Sequence, residues 1–198
     1  MNLRKITAKK PLKLLVILLS WMIVATASAA IYYSLSMEPK VTTYGAAPVI
    51  FVQGDDSATA GASISTDGSW ASITNLKAYP NVTMTYDQAL NVSNTDTSAH
   101  NIRLRHLSIS PASGWDVANF TSITFKLVNV AGTEVATFAY TVTGTGASAS
   151  WNLPSPTGYQ SLPGSNTEWA IKIEIIAEAN ASAGIEVDIN IALDTEEA

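Results

Sequence analysis

Two stretches, Ile171-Lys172-Ile173-Glu174-Ile175 and Ile185-Glu186-Val187-Asp188-Ile189-Asn190-Ile191, decide the fold class. Each alternates an aliphatic with a polar residue at period two. In an extended chain this puts every Ile and Val on one face and every charge on the other. They read as two long antiparallel strands joined across Glu178–Gly184, with Ile171, Ile173, Ile175, Ile185, Val187, Ile189 and Ile191 buried. Working outward, further runs rich in Val, Ile, Thr and aromatics occupy Pro48–Gln53, Ser69–Thr74, Val82–Tyr86, Ala89–Val92, Asn101–Ile109, Ser122–Asn129, Glu134–Val142 and Ser148–Leu153. The closing pair is bounded as Glu168–Ala177 and Ile185–Leu193. Turn residues fall between the runs: Gly54-Asp55-Asp56, Asp67-Gly68, Ala131-Gly132, Gly144-Thr145-Gly146, Pro154-Ser155-Pro156 and Pro163-Gly164. Asp116–Phe120 suits one helical turn, and residues 54–63 are the most loop-like segment. Many short strands without a convincing helix predict an all-β, jelly-roll-like two-sheet sandwich.

The N-terminal end has a different character. Arg4, Lys5, Lys9, Lys10 and Lys13 precede Leu14–Met37, which contains no Asp, Glu, Lys, Arg or His. Small residues close the apolar run in Ala25-Thr26-Ala27-Ser28-Ala29-Ala30. A basic start, an apolar run and an Ala-x-Ala site predict a signal peptide at 1–29, cleaved after Ala29, or alternatively after Ala27. The rival is an uncleaved anchor, since 24 uncharged residues are long enough to span a bilayer. Both readings place the remainder outside the cytoplasm, extracellular or at the cell surface. That remainder divides into an N-terminal strand, 30–44, and a single β-sandwich domain, 45–198.

Charge and composition exclude several function classes. Beyond residue 29, six basic residues face 16 acidic ones. This opposes nucleic-acid binding, which needs a basic face. With no cysteine, disulfide scaffolds, Cys-ligated zinc and thiol catalysis are excluded. His100 and His106 lie about 20 Å apart if both are on one strand, too far to share a metal. Asp55, Asp56 and Asp67 sit in loops that suit calcium, but Asp, Ser and Gly are also ordinary turn residues. No Gly-x-Ser-x-Gly elbow occurs, and no carboxylate pair stands out for glycoside hydrolysis. No catalytic residue, metal site or cofactor is assigned. Trp70, Trp115, Trp151 and Trp169 read as core fillers rather than sugar platforms. Asn81, Asn91, Asn119 and Asn180 each begin an Asn-x-Ser/Thr sequon and are candidates for glycosylation.

The layout resembles a known family. Its features are small residues closing a signal peptide, the strand Ala30-Ile31-Tyr32-Tyr33-Ser34-Leu35, the middle stretch Leu90-Asn91-Val92-Ser93-Asn94-Thr95-Asp96 leading to Asn101–Leu107, and the closing amphipathic strands Trp169–Ala177 and Ile185–Leu193. It is similar to the TasA/camelysin group of biofilm-matrix fibre proteins and to related archaeal bundling-pilus and thread subunits. The resemblance implies a jelly-roll subunit that polymerises outside the cell by donor-strand exchange. Its partners are then identical subunits, head to tail, and other filaments in bundles. The membrane is met only through the signal segment before cleavage. The metalloprotease activity ascribed to camelysin is not carried over, because this chain has no recognisable zinc motif.

Physical chemistry agrees with that implication. An open sheet edge invites another strand, and a head-to-tail contact that does not close makes a filament. Ala30–Tyr44 is placed to donate, and Ile31, Tyr33, Leu35 and Met37 form its apolar face. The plainer reading makes it the first strand of its own domain. Two other classes stand beside the filament subunit: a monomeric membrane-anchored or secreted surface module binding sugar or an S-layer, and an exported enzyme with unrecognised carboxylates.

Overall fold

The computed structural model describes residues 47–198. The predicted signal peptide and the candidate donor residues Ile31, Tyr33, Leu35 and Met37 lie outside them. Eleven strands run in chain order: β1 (Val49–Gln53), β2 (Ala62–Ile64), β3 (Trp70–Ile73), β4 (Thr83–Asn94), β5 (His100–Ser110), β6 (Phe120–Val128), β7 (Glu134–Thr143), β8 (Ser150–Asn152), β9 (Gln160–Leu162), β10 (Thr167–Ala177) and β11 (Asp188–Glu197). A four-residue helix, α1 (Ser57–Ala60), lies between β1 and β2. The strands form two antiparallel sheets, ordered β1-β4-β10-β6-β7-β8 and β2-β3-β11-β5-β9.

Setting aside the flanking strands β1, β2 and β8 leaves β4-β10-β6-β7 facing β3-β11-β5-β9. Only β6 and β7 are consecutive strands paired as a hairpin within these eight; every other connection passes between sheets. This is the eight-strand jelly-roll arrangement. The all-β two-sheet sandwich expected from the alternation is therefore the observed fold.

The alternation sets the inner faces. On β10, Ile171, Ile173 and Ile175 are fully buried, and Ile189 and Ile191 of β11, with Val187 just before it, are buried in the same core. The other set of β10 side chains supports the outer face. Lys126 Nζ on β6 lies 2.8 Å from Glu174 and 3.0 Å from Glu134 of β7. Lys172 Nζ reaches Asp87 of β4 at 3.2 Å. Charge pairs thus cross the strands on the solvent side while aliphatics fill the core. At the β6–β7 end the core is aromatic. Tyr140 packs edge-on against Phe125, Phe138 and Trp151 at centroid distances of 6.0, 5.5 and 6.3 Å.

Several expectations need correction. The closing strands β10 and β11 do not pair; they are the central strands of opposite sheets. The second begins at Asp188, not Ile185, and continues to Glu197. Its acidic end is held by basic neighbours on β5: Asp194 accepts hydrogen bonds from Arg103 Nε at 3.0 Å and from Arg105 Nη2 at 3.0 Å. Ile185 is only partly buried, because it lies in the connection before β11. The runs Val82–Tyr86 and Ala89–Val92 belong to one strand, β4. The break in alternation between them is a bulge, since Leu90 opposes Ile171 and Tyr86 opposes Ile173. Residues 54–63 are ordered as well. Ser57 Oγ accepts from Gly54 N at 2.7 Å and donates to the Ala89 carbonyl at 2.9 Å, and Ala60 is fully buried. Gly61 ends α1 with φ +66°, a left-handed cap natural to glycine.

Candidate functional site

A strand-addition site requires an open edge, so the four edge strands are the first places to examine. β2, β8 and β9 have three residues each, and β1 has five. Short edges are a common defence against unwanted pairing. The β8 edge carries a further cover: Ser113 bridges Ser150, and Trp151 N donates to the Ala112 carbonyl. Beyond β9, the outer side of β5 meets Thr157, whose hydroxyl accepts from Leu104 N at 3.0 Å. Farther along, Leu107 is the extra residue of a bulge, opposite the Asn190–Ile191 step of β11. A bulge re-aims a strand and disrupts regular pairing.

The β1 edge is different. Its outer side borders an open groove of about 610 Å³ toward the other sheet, lined by Ile50, Phe51, Ile64, Asp67, Gly68 and Thr95. Phe51 N donates to the Gly68 carbonyl at 2.8 Å, so the middle of this edge is already bonded within the domain. Gly68 has φ +69°, and a Cβ there would stand 2.6 Å from Ile50 Cβ, so only glycine allows this approach. A second opening, about 550 Å³, lies at the same end around Ala47, Asp96, His100, Glu196 and Glu197.

The polar candidates resolve into structural duties. Asp67 accepts from Ser65 Oγ at 2.6 Å, from Ser69 N at 3.1 Å and from Ser69 Oγ at 2.9 Å. These bonds, the Ser65 hydroxyl first, hold its carboxyl down at about 2. Asp56 Oδ2 accepts from Gln88 N at 3.1 Å and anchors the β4 bulge. The acidic loops therefore cap turns. Among the described residues no three His, Asp or Glu side chains gather as metal ligands. His100 lies 3.0 Å from Asp96 Oδ2, and this contact is the main cause that lowers the Asp96 carboxyl. His106 Nδ1 lies 2.9 Å from the Tyr140 hydroxyl. Burial pushes the His106 imidazole down and the Tyr140 phenol up.

The four sequons separate by geometry. Asn81 is exposed in the tight turn before β4, at φ +60°. Asn180 is exposed in the connection between β10 and β11. Asn91 is half-buried inside β4, its side chain toward Glu168. Asn119 is fully engaged: Nδ2 donates to the carbonyls of Trp115 and Asp116 at 2.8 and 3.1 Å, and Oδ1 accepts from Ser182 N at 2.6 Å.

Of the four tryptophans read as core, Trp151 and Trp169 are buried, but Trp70 and Trp115 are 43% and 72% exposed. Trp115 departs furthest from the core placement expected of it. It has no alternating neighbours to give its direction away, and the Gly114-Trp115 pair after Pro111-Ala112-Ser113 is its one sequence signal. No protein-family model matches the chain, and no curated protein matches it.

Proposed function

We propose that the chain is the structural subunit of an extracellular filament, a pilus, thread or matrix fibre, and not an enzyme. In this reading the signal segment is removed on export, and Ala30–Tyr44 adds to the sandwich of the next subunit, as in TasA-like fibres. One observation carries the reading. All eight strands of the jelly-roll framework come from Trp70–Glu197. The framework is complete without segment 30–44, whose alternation then suits addition to a neighbour's edge. The receiving site is the outer edge of β1 and the groove beside it, because β1 is the longest edge strand. The half-buried Ile50 and Ile64 offer apolar contacts for Ile31, Tyr33, Leu35 and Met37. Main-chain bonds then supply attachment, and side-chain alternation sets the register.

Electron microscopy of the secreted material tests the assembly, and cross-linking tests the contact. The chain has no native cysteine, so introduced thiols report unambiguously. Leu35→Cys combined in turn with Ile50→Cys and Ile64→Cys should give a ladder of disulfide-linked oligomers on a non-reducing gel. Secreted material that is monomeric under the microscope, with no ladder from either pair, overturns the reading.

A further inference from the structure

A cleft of about 380 Å³ lies between the turn at 115–119 and the loop at 180–185. Trp115, Asp116, Asn119, Gly146, Asn180 and Ser182 line it. We propose that this cleft holds a pyranose ring, with the Trp115 indole as its stacking platform. This inference is independent of the filament reading.

The platform is exposed but not loose. Its six-membered ring rests on Gly146. A Cβ on that glycine would stand 3.0 Å from Cη2 and 3.1 Å from Cζ3, and its φ is +57°. The backbone at 145–148 therefore makes room for the indole, which is still 72% exposed. The opposite wall is fixed by Asn119, whose amide joins Trp115 and Asp116 on one side to Ser182 on the other. Asn119 O also accepts from Glu178 N at 2.9 Å, and Thr121 Oγ1 donates to Glu178 Oε1 at 3.0 Å. Both walls are thus set before any ligand arrives, which lowers the cost of binding.

The chemistry of the lining selects the ligand class. A pyranose has an apolar C–H face that stacks on an aromatic ring and a rim of hydroxyls that needs donors and acceptors. Asp116, Asn180 and Ser182 line the cleft together with Trp115. An aromatic plane bordered by polar residues matches those two needs. A protein partner would call for a larger continuous apolar patch. The sugar has two possible sources with the same chemistry. Asn180-Ala181-Ser182 is a sequon whose Asn lines the cleft, so a glycan on Asn180 would begin beside Trp115. The other source is a glycan from another molecule.

Two arms distinguish the sources. In the first, the chain made in a host without N-glycosylation is titrated with maltotriose, mannotriose, galactotriose and chitotriose. The readouts are tryptophan fluorescence and the Trp115 indole N–H resonance. The expected result is a saturable shift at Trp115 with at least one sugar, and an affinity, measured for all variants by calorimetry, that falls about tenfold or more in Trp115→Ala and is unchanged in Trp70→Ala. In the second arm, protein from the native surface is digested with trypsin, and the 173–198 peptide, which contains no other sequon, is weighed. A glycan on Asn180 that shields Trp115 from acrylamide quenching, with the shielding lost in Asn180→Gln, assigns the source to the chain itself. The proposal is overturned if no sugar moves the Trp115 signal and the native protein shows no Asn180-dependent shielding. It is equally overturned if Trp115→Ala abolishes self-association without any sugar response, which would make the surface a subunit contact.

Discussion

The hydroxyl of Tyr140 on β7 and Nδ1 of His106 on β5 lie 2.9 Å apart, a side-chain bond that joins the two sheets. Tyr140 is fully buried and His106 half-buried. A neutral imidazole can accept a hydrogen bond from the phenol or donate one to it, according to its tautomer, whereas an imidazolium can only donate and carries a charge that burial disfavours.

Acid should therefore weaken this junction. Burial lowers the folded pKa of His106 below its ordinary 6.5, so the unfolded chain binds more protons there. The resulting stability is fully present above the unfolded value and is lost as pH falls below it. His106→Gln keeps a polar partner for Tyr140 and cannot titrate. Urea unfolding between about pH 7.5 and about pH 5 should show wild type losing stability relative to this variant. Parallel curves would show that His106 does not carry the effect.

The core prediction concerns Ile173, fully buried at the centre of β10. Ile173→Ala should cost about 2–5 kcal/mol in chemical unfolding, from lost burial and the cavity left behind. A loss below about 0.5 kcal/mol, typical of surface positions, would mean that this face is not packed.

Asn119→Ala removes the amide that ties the 115–119 turn to the 178–182 connection. We expect a loss of about 1–3 kcal/mol, from three hydrogen bonds of modest net value. Amide exchange should quicken at Ser182, whose N–H loses its acceptor, while the β6 and β10 amides stay protected. Uniform quickening across both sheets would contradict a local tie.

Charge on the donor face should block assembly without unfolding the domain. Tyr33→Asp with Leu35→Asp places two carboxylates where the filament reading requires burial, a cost far larger than one strand's attachment sustains. The expected product is a folded monomer by size exclusion and circular dichroism, with no filaments. Normal filaments from this variant would assign the donor role to another segment.

The inner faces of both sheets were legible because period-two alternation survives without any knowledge of neighbours. Ile171, Ile173 and Ile175 announce their side of β10 from five residues of sequence. The same alternation does not say which strand lies alongside, so β10 and β11 read as a pair when they are the middles of opposite sheets. Asp194 shows a related blind spot. Its run of acids looks like a solvated end until Arg103 and Arg105, 91 and 89 residues earlier, are brought beside it. Trp115 escaped for a different reason. A tryptophan carries the same side chain into a core or onto a surface, and its direction was set by room at Gly146, which has no signature in the local pattern.

The central positions of β10 and β11 have a consequence for the order of events as the chain is made. Before Thr167–Glu197 has been added, the first sheet exists only as β1-β4 and β6-β7-β8, and the second only as β2-β3 and β5-β9. These are four separate ribbons of two or three strands, and such small pieces have little stability alone. Each sheet is joined by a strand that arrives late and pairs on both sides at once. Folding is then governed by long-range contacts and proceeds slowly until that moment. A chain synthesised from its N-terminus therefore has neither sheet complete until its last two long strands enter the middle of both layers.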